Sequence, residues 1–119
     1  MIPNKLTVKR FLEDFKTKLG IWGVLYRDDR SKNTQTILLL EISTAVREQV
    51  LKDLQVEDYS EGPLDDTIYG GASMWVFGKM VKSYEVYIKI TMGIAGSNVI
   101  CISFHVAEHK MNYPFKQKQ

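Results

Sequence analysis

The chain has 119 residues, with 16 Lys or Arg against 14 Asp or Glu and a formal net charge of +2. That length accommodates one domain, spanning 1–119, and is too short for two cores; the ordinary shares of apolar and charged residues exclude a disordered or low-complexity chain. The lone Cys101 excludes an intrachain disulfide and a thiolate zinc site. Charges interrupt every long apolar run, which argues against a signal peptide and a membrane span, so a cytoplasmic protein is expected.

The charge is uneven along the chain. Residues 1–33 hold eight Lys/Arg and four Asp/Glu, residues 34–78 two against eight, and residues 79–119 six against two. If the two basic ends meet on one surface, that surface attracts a polyanion. Dispersed, solvated lysines are the alternative.

Residues 7–20 read as an amphipathic helix with a stripe of Val8, Phe11, Leu12, Phe15 and Leu19. Thr7 is the expected N-cap and Gly20 the expected C-terminal stop. Residues 21–26 are short, apolar and aromatic, as in a strand. The polar segment 27–33 carries Arg27, Arg30 and Lys32, suited to a phosphate unless Asp28 and Asp29 neutralise them. Residues 34–42 are read as a short helix, although their β-branched residues also suit a strand. A second clear helix starts at Ser43 or Thr44, with Val46, Val50, Leu51 and Leu54 as its stripe.

Residues 58–71 look like turn chemistry, punctuated by Gly62-Pro63 and Gly70-Gly71. Their carboxylates Asp58, Glu61, Asp65 and Asp66 lack the alternation and closing Glu of a calcium loop, and no His lies at zinc-ligand spacing. No metal or other cofactor is expected. Residues 73–81 read as a strand.

Residues 84–105 form the stretch around which the rest is organised. Apolar residues alternate from Tyr84 to Met92 and again from Ile100 to Phe104, around the turn-forming segment 93–98. Pairing Met92 with Ile100 joins the apolar faces and sets Tyr87 opposite His105 and Lys89 opposite Ser103. A slip of one residue buries the wrong face; a slip of two moves Tyr87 and His105 to a diagonal. This alternation also places Cys101 on the face of His105, but four residues along one strand separate the two by roughly 13 Å, too far for a thiol–imidazole pair. In the tail, Pro114 permits at most an edge strand, and Tyr113 and Phe115 are expected to cover the end of the core. His109 reads as a tail residue. Helices followed by strands argue for an α+β fold: N-terminal helices packed on one face of an antiparallel sheet whose C-terminal strands form a meander, leaving the other face for function.

Asp58-Tyr59, Trp75, the run Val86-Tyr87-Ile88-Lys89-Ile90-Thr91 and Ile102-Ser103-Phe104 occur in the order found in the motility quorum-sensing regulator toxins, and the chain resembles that family over about residues 37 to 105. The resemblance implies a RelE-like fold and a small ribonuclease that cleaves mRNA, paired with a cognate antitoxin protein. Of the family's four cleaving positions, the Tyr falls on Tyr87, and the Lys after SF falls on His105. The other Lys falls on Glu61 and the Gln on Val76, so two positions depart from the pattern.

Metal-independent RNA cleavage needs a base for the 2′-OH, an acid for the leaving 5′ oxygen and a cation for the charge between. His105 suits either proton transfer, Tyr87 can orient the phosphate, and Lys89 supplies charge. Lys79, Lys82, Arg27 and Arg30 are candidates to hold the RNA backbone, and Trp75 or Tyr84 to stack a base. A non-catalytic protein- or RNA-binding module of the same fold is the alternative.

Overall fold

The computed structural model describes residues 2–65 and 71–116. Asp66 and Gly70 of the expected turn segment lie outside them. Among the described residues the fold is α+β, with three α-helices and a five-stranded sheet. No helix there is long and apolar enough to cross a membrane.

The first helix, α1, spans Lys5–Trp22. Asn4 rather than Thr7 is its N-cap: the Asn4 side chain accepts from the Thr7 backbone N–H at 2.8 Å. The helix also runs through Gly20 and stops at Gly23, whose φ of 78° is left-handed and suits glycine. Ile21 and Trp22 are therefore helical, and strand β1 is only Val24–Tyr26.

Helix α2 spans Ser31–Leu40 and α3 spans Thr44–Lys52. Ser43 caps α3, accepting from Val46 N–H at 3.2 Å. The expected stripe holds for Leu51 and Leu54, which are fully buried, and for Val50, which packs against the core, but Arg47 takes the place of Val46. Val46 is 42% exposed, whereas Arg47 is only 5% exposed. Arg47 tolerates burial because Asp28 pairs with it and its guanidinium lies 3.8 Å over the Tyr26 ring.

A 3₁₀ turn at Val56–Asp58 leads into β2, Tyr59–Leu64. Residues expected to be a turn thus form an irregular edge strand. Pro63 sits on that edge, where no ladder donor is needed, and Gly62 has φ of 120° and approaches the neighbouring strand so closely that a Cβ would lie 2.9 Å from the Met74 carbonyl oxygen. The remaining strands are β3 (Met74–Val81), β4 (Tyr84–Thr91) and β5 (Val99–Val106). The sheet order is β1-β5-β4-β3-β2. Strands β2 to β5 form an antiparallel meander, but β1 runs parallel to β5, so the sheet is mixed and not antiparallel throughout.

Tyr87 pairs with His105 and Lys89 with Ser103, as expected. Beyond that point Ile90 pairs with Cys101 and Thr91 with Ile100, so Met92 does not face Ile100. A bulge at Ile102 absorbs the extra residue. The bulge also turns Cys101 to the core, away from the face of His105. A side chain of α2 stabilises it. Asn33 donates to the Ile102 carbonyl at 3.0 Å and accepts from the Phe104 N–H at 2.9 Å. Thr36 accepts from the Val106 N–H at 2.9 Å. Strand β1 is too short to cover this part of β5, and α2 satisfies its edge with side chains instead.

The core joins Val8, Leu12 and Phe15 of α1 to Phe77, Ile88 and Phe104 of the sheet. Phe11 stacks on Trp75 with ring centroids 4.5 Å apart. Trp75 is therefore a core residue and not a platform for a base. Cys101 is fully buried, and desolvation pushes its thiol up to about 12. The unfolded thiol loses its proton from an ordinary value of 9.0, so above that pH the unfolded chain binds fewer protons and stability falls, by about 1.4 kcal/mol per pH unit for one such group. The loss is complete once pH passes the folded value. At mildly alkaline pH a thiol reagent should leave native Cys101 unmodified and label it only as denaturant unfolds the chain. Rapid labelling without denaturant would contradict this packing.

Candidate functional site

One face of the sheet carries two adjacent rows. Gly78, Tyr87 and His105 are paired across β3, β4 and β5, and Val76, Lys89 and Ser103 form the next row. Glu61 of β2 pairs with Val76 and extends the second row. Apart from Gly78, which Met111 and Tyr113 of the tail cover, these residues form the floor of an open cleft of about 600 Å³. Arg30 and Lys32 line it from the start of α2, and His109 and Lys110 from the tail.

The Tyr87 and His105 rings stack at 5.0 Å with an interplanar angle of 14°. The Lys89 ammonium lies 5.8 Å from the Tyr87 ring centre. His105 is 8% exposed, and its Nδ1 lies 3.0 Å from the Val106 carbonyl oxygen. A carbonyl only accepts, so Nδ1 carries a proton and Nε2 is the nitrogen left to take up or release one. Burial raises the pKa of the Tyr87 phenol; Glu61 adds to the rise and Arg30 opposes it. Tyr87 is thus a neutral hydrogen-bond donor near neutrality.

The tail crosses this face. Met111 N–H and the Tyr113 hydroxyl donate to the two carboxylate oxygens of Glu85, at 3.2 and 2.7 Å. Phe115 stacks on Tyr59 at 5.3 Å, covering the end of the core as expected. Gly78 makes the crossing possible: a Cβ there would come within 2.2 Å of the Tyr113 hydroxyl. His109 and Lys110 reach the cleft along this path, which no sequence pattern announces.

Tyr87, His105, Lys89 and Arg30 therefore share one cleft. Lys79, Lys82 and Arg27 do not line it. Lys79 is on the opposite face, paired with Asp58 at 2.9 Å. Lys82 donates to the Leu40 carbonyl at 2.8 Å, tying the β3–β4 turn to the end of α2. Arg27 pairs with Asp29 at 3.0 Å. Asp28 binds Arg47 through both oxygens, at 2.8 and 3.0 Å. The acidic pair in the loop thus holds Arg27 and Arg47, and Arg30 makes no ion pair among the described residues. Lys32 is bonded to Glu108. Among the described residues, no three His, Cys, Asp or Glu side chains cluster as metal ligands would.

No family model, curated protein or solved structure matches the chain.

Proposed function

We propose that the chain is a metal-independent endoribonuclease acting on mRNA, the toxin of a type II toxin–antitoxin pair. In this reading the fold is RelE-like and the protein cytoplasmic. The N-terminal helices cover one sheet face, and the other receives RNA until a cognate antitoxin blocks it. The observation that carries the proposal is the convergence of Tyr87, His105, Lys89 and Arg30 on one open cleft. Glu61 and Val76 line the same cleft, so all four positions of the resemblance meet there.

The chemistry follows from these groups. Arg30 and Lys89 flank a phosphodiester and offset the charge that grows on its oxygens. Tyr87, kept protonated, donates to a non-bridging oxygen. His105 moves a proton at Nε2. Attack by the 2′ oxygen on phosphorus expels the 5′ oxygen and leaves a 2′,3′-cyclic phosphate.

The departures at Glu61 and Val76 favour a second reading, a binding module that has lost catalysis. Growth after induced expression separates the two, compared for wild type and for His105→Ala combined with Tyr87→Phe, alongside total RNA integrity. Arrest and RNA loss confined to the wild type support the ribonuclease. Normal growth and intact RNA with soluble wild-type protein leave only the module.

A further inference from the structure

Cleavage through the 2′-OH moves two protons, and one imidazole cannot make both transfers in a single step. Resting on the ribonuclease reading, we infer that Glu61 is the general base of the cleft and His105 its general acid.

Two carboxylates line the cleft, Glu61 and Glu108. Glu108 is engaged by Lys32. Glu61 is exposed, and its carboxylate has no hydrogen bond or ion pair among the described residues. It shares the cleft with Arg30, Tyr87, Lys89, His105, His109 and Lys110. The guanidinium and the lysine ammoniums have no lone pair to accept a proton, burial holds Tyr87 as a phenol, and His109, the second imidazole of the cleft, is the rival base that the test separates from Glu61. Strands β2 and β5 are three spacings apart in the sheet, about 14 Å between backbones. Glu61 stands in the row next to that of His105 and both line the cleft, so a phosphodiester lying between them would turn its 2′ oxygen towards one and its 5′ oxygen towards the other.

The step balances without a further reactant. Glu61 takes the 2′-OH proton, the 2′ oxygen bonds to phosphorus, the bond from phosphorus to the 5′ oxygen breaks, and His105 gives its proton to that oxygen. Exchange with water then resets both groups. A carboxylate in an anion-binding cleft also repels the substrate, and this gives the test a sign. If Glu61 is only an edge-strand charge, removing it improves RNA binding and cleavage; if it is the base, cleavage collapses while binding holds or tightens.

The test uses a fluorescent RNA oligonucleotide, free and within a translated message on ribosomes, with wild type, Glu61→Gln and His109→Gln over an acid-to-alkaline pH series. Glu61→Gln should lower the single-turnover rate about 10²–10⁴-fold without weakening RNA binding. The acid limb of its rate profile should move from that of the wild type, because the carboxylate is gone. His109→Gln should keep most of the rate. Glu61→Gln at or above the wild-type rate, with the acid limb of the profile unmoved, would overturn the assignment and leave the ribonuclease reading standing. Folded wild type that leaves both RNAs intact at every pH overturns both.

Discussion

His105→Gln lowers RNA cleavage by about 10²–10⁴-fold, the span expected when a positioned proton-transfer group is removed. Gln fills similar space but cannot titrate, so the chemistry is lost with little change in shape. The fold should tolerate it. The variant loses the Tyr87 ring stack and the contact from Nδ1 to the Val106 carbonyl, each on the order of 1 kcal/mol. Tyr87→Phe removes one donor to the phosphate and should cost less in rate than His105→Gln. The check is initial-rate cleavage by purified proteins whose circular dichroism matches the wild type. A folded His105→Gln protein that cleaves at the wild-type rate removes the imidazole from the mechanism. His105 would then be a packing residue that happens to line the cleft.

How much of this was legible in the sequence depends on where each signal resides. Period-2 alternation is a local property, and it placed Tyr87 opposite His105 and Lys89 opposite Ser103 correctly. The bulge at Ile102 was not legible, because its cause is Asn33, 69 residues away in sequence. Missing the bulge also put Cys101 on the wrong face. Strand β2 reads YSEGPL; Gly and Pro normally mark turns, and only pairing with β3 makes an edge strand of it. The buried Arg47 breaks the apolar stripe of α3, and its reason is the Asp28 carboxylate in a distant loop. The candidate site divides the same way. Its core of Tyr87, Lys89 and His105 follows from strand register. Which cations join it depends on ion pairs that a sequence does not display: Asp29 takes Arg27, Asp58 takes Lys79 and Arg30 is left for the cleft.

The same long-range contact carries the largest stability effect expected here. Asn33→Leu should destabilise the chain by about 2–4 kcal/mol, because it strands the Phe104 N–H and the Ile102 carbonyl in the interior. Asn33 is only 1% exposed, and its amide also donates to the Arg27 carbonyl at 2.9 Å. Leucine nearly matches its size but can make none of these bonds. Thr36→Val removes one acceptor from the Val106 N–H and should cost about 1–2 kcal/mol. Against a total stability of about 5–15 kcal/mol for a domain of this kind, the first change removes a substantial fraction. The consequence reaches the cleft. His105 lies between Phe104 and Val106, the two residues whose N–H groups α2 holds. Loosening that contact lets the imidazole drift from Tyr87, and cleavage should fall even at temperatures where the chain stays folded. Urea unfolding followed by tryptophan fluorescence measures the first effect as a lower midpoint at unchanged slope. A midpoint for Asn33→Leu equal to the wild type would show that α2 does not hold β5 in place. His105 would then owe its position to the β4 pairing alone.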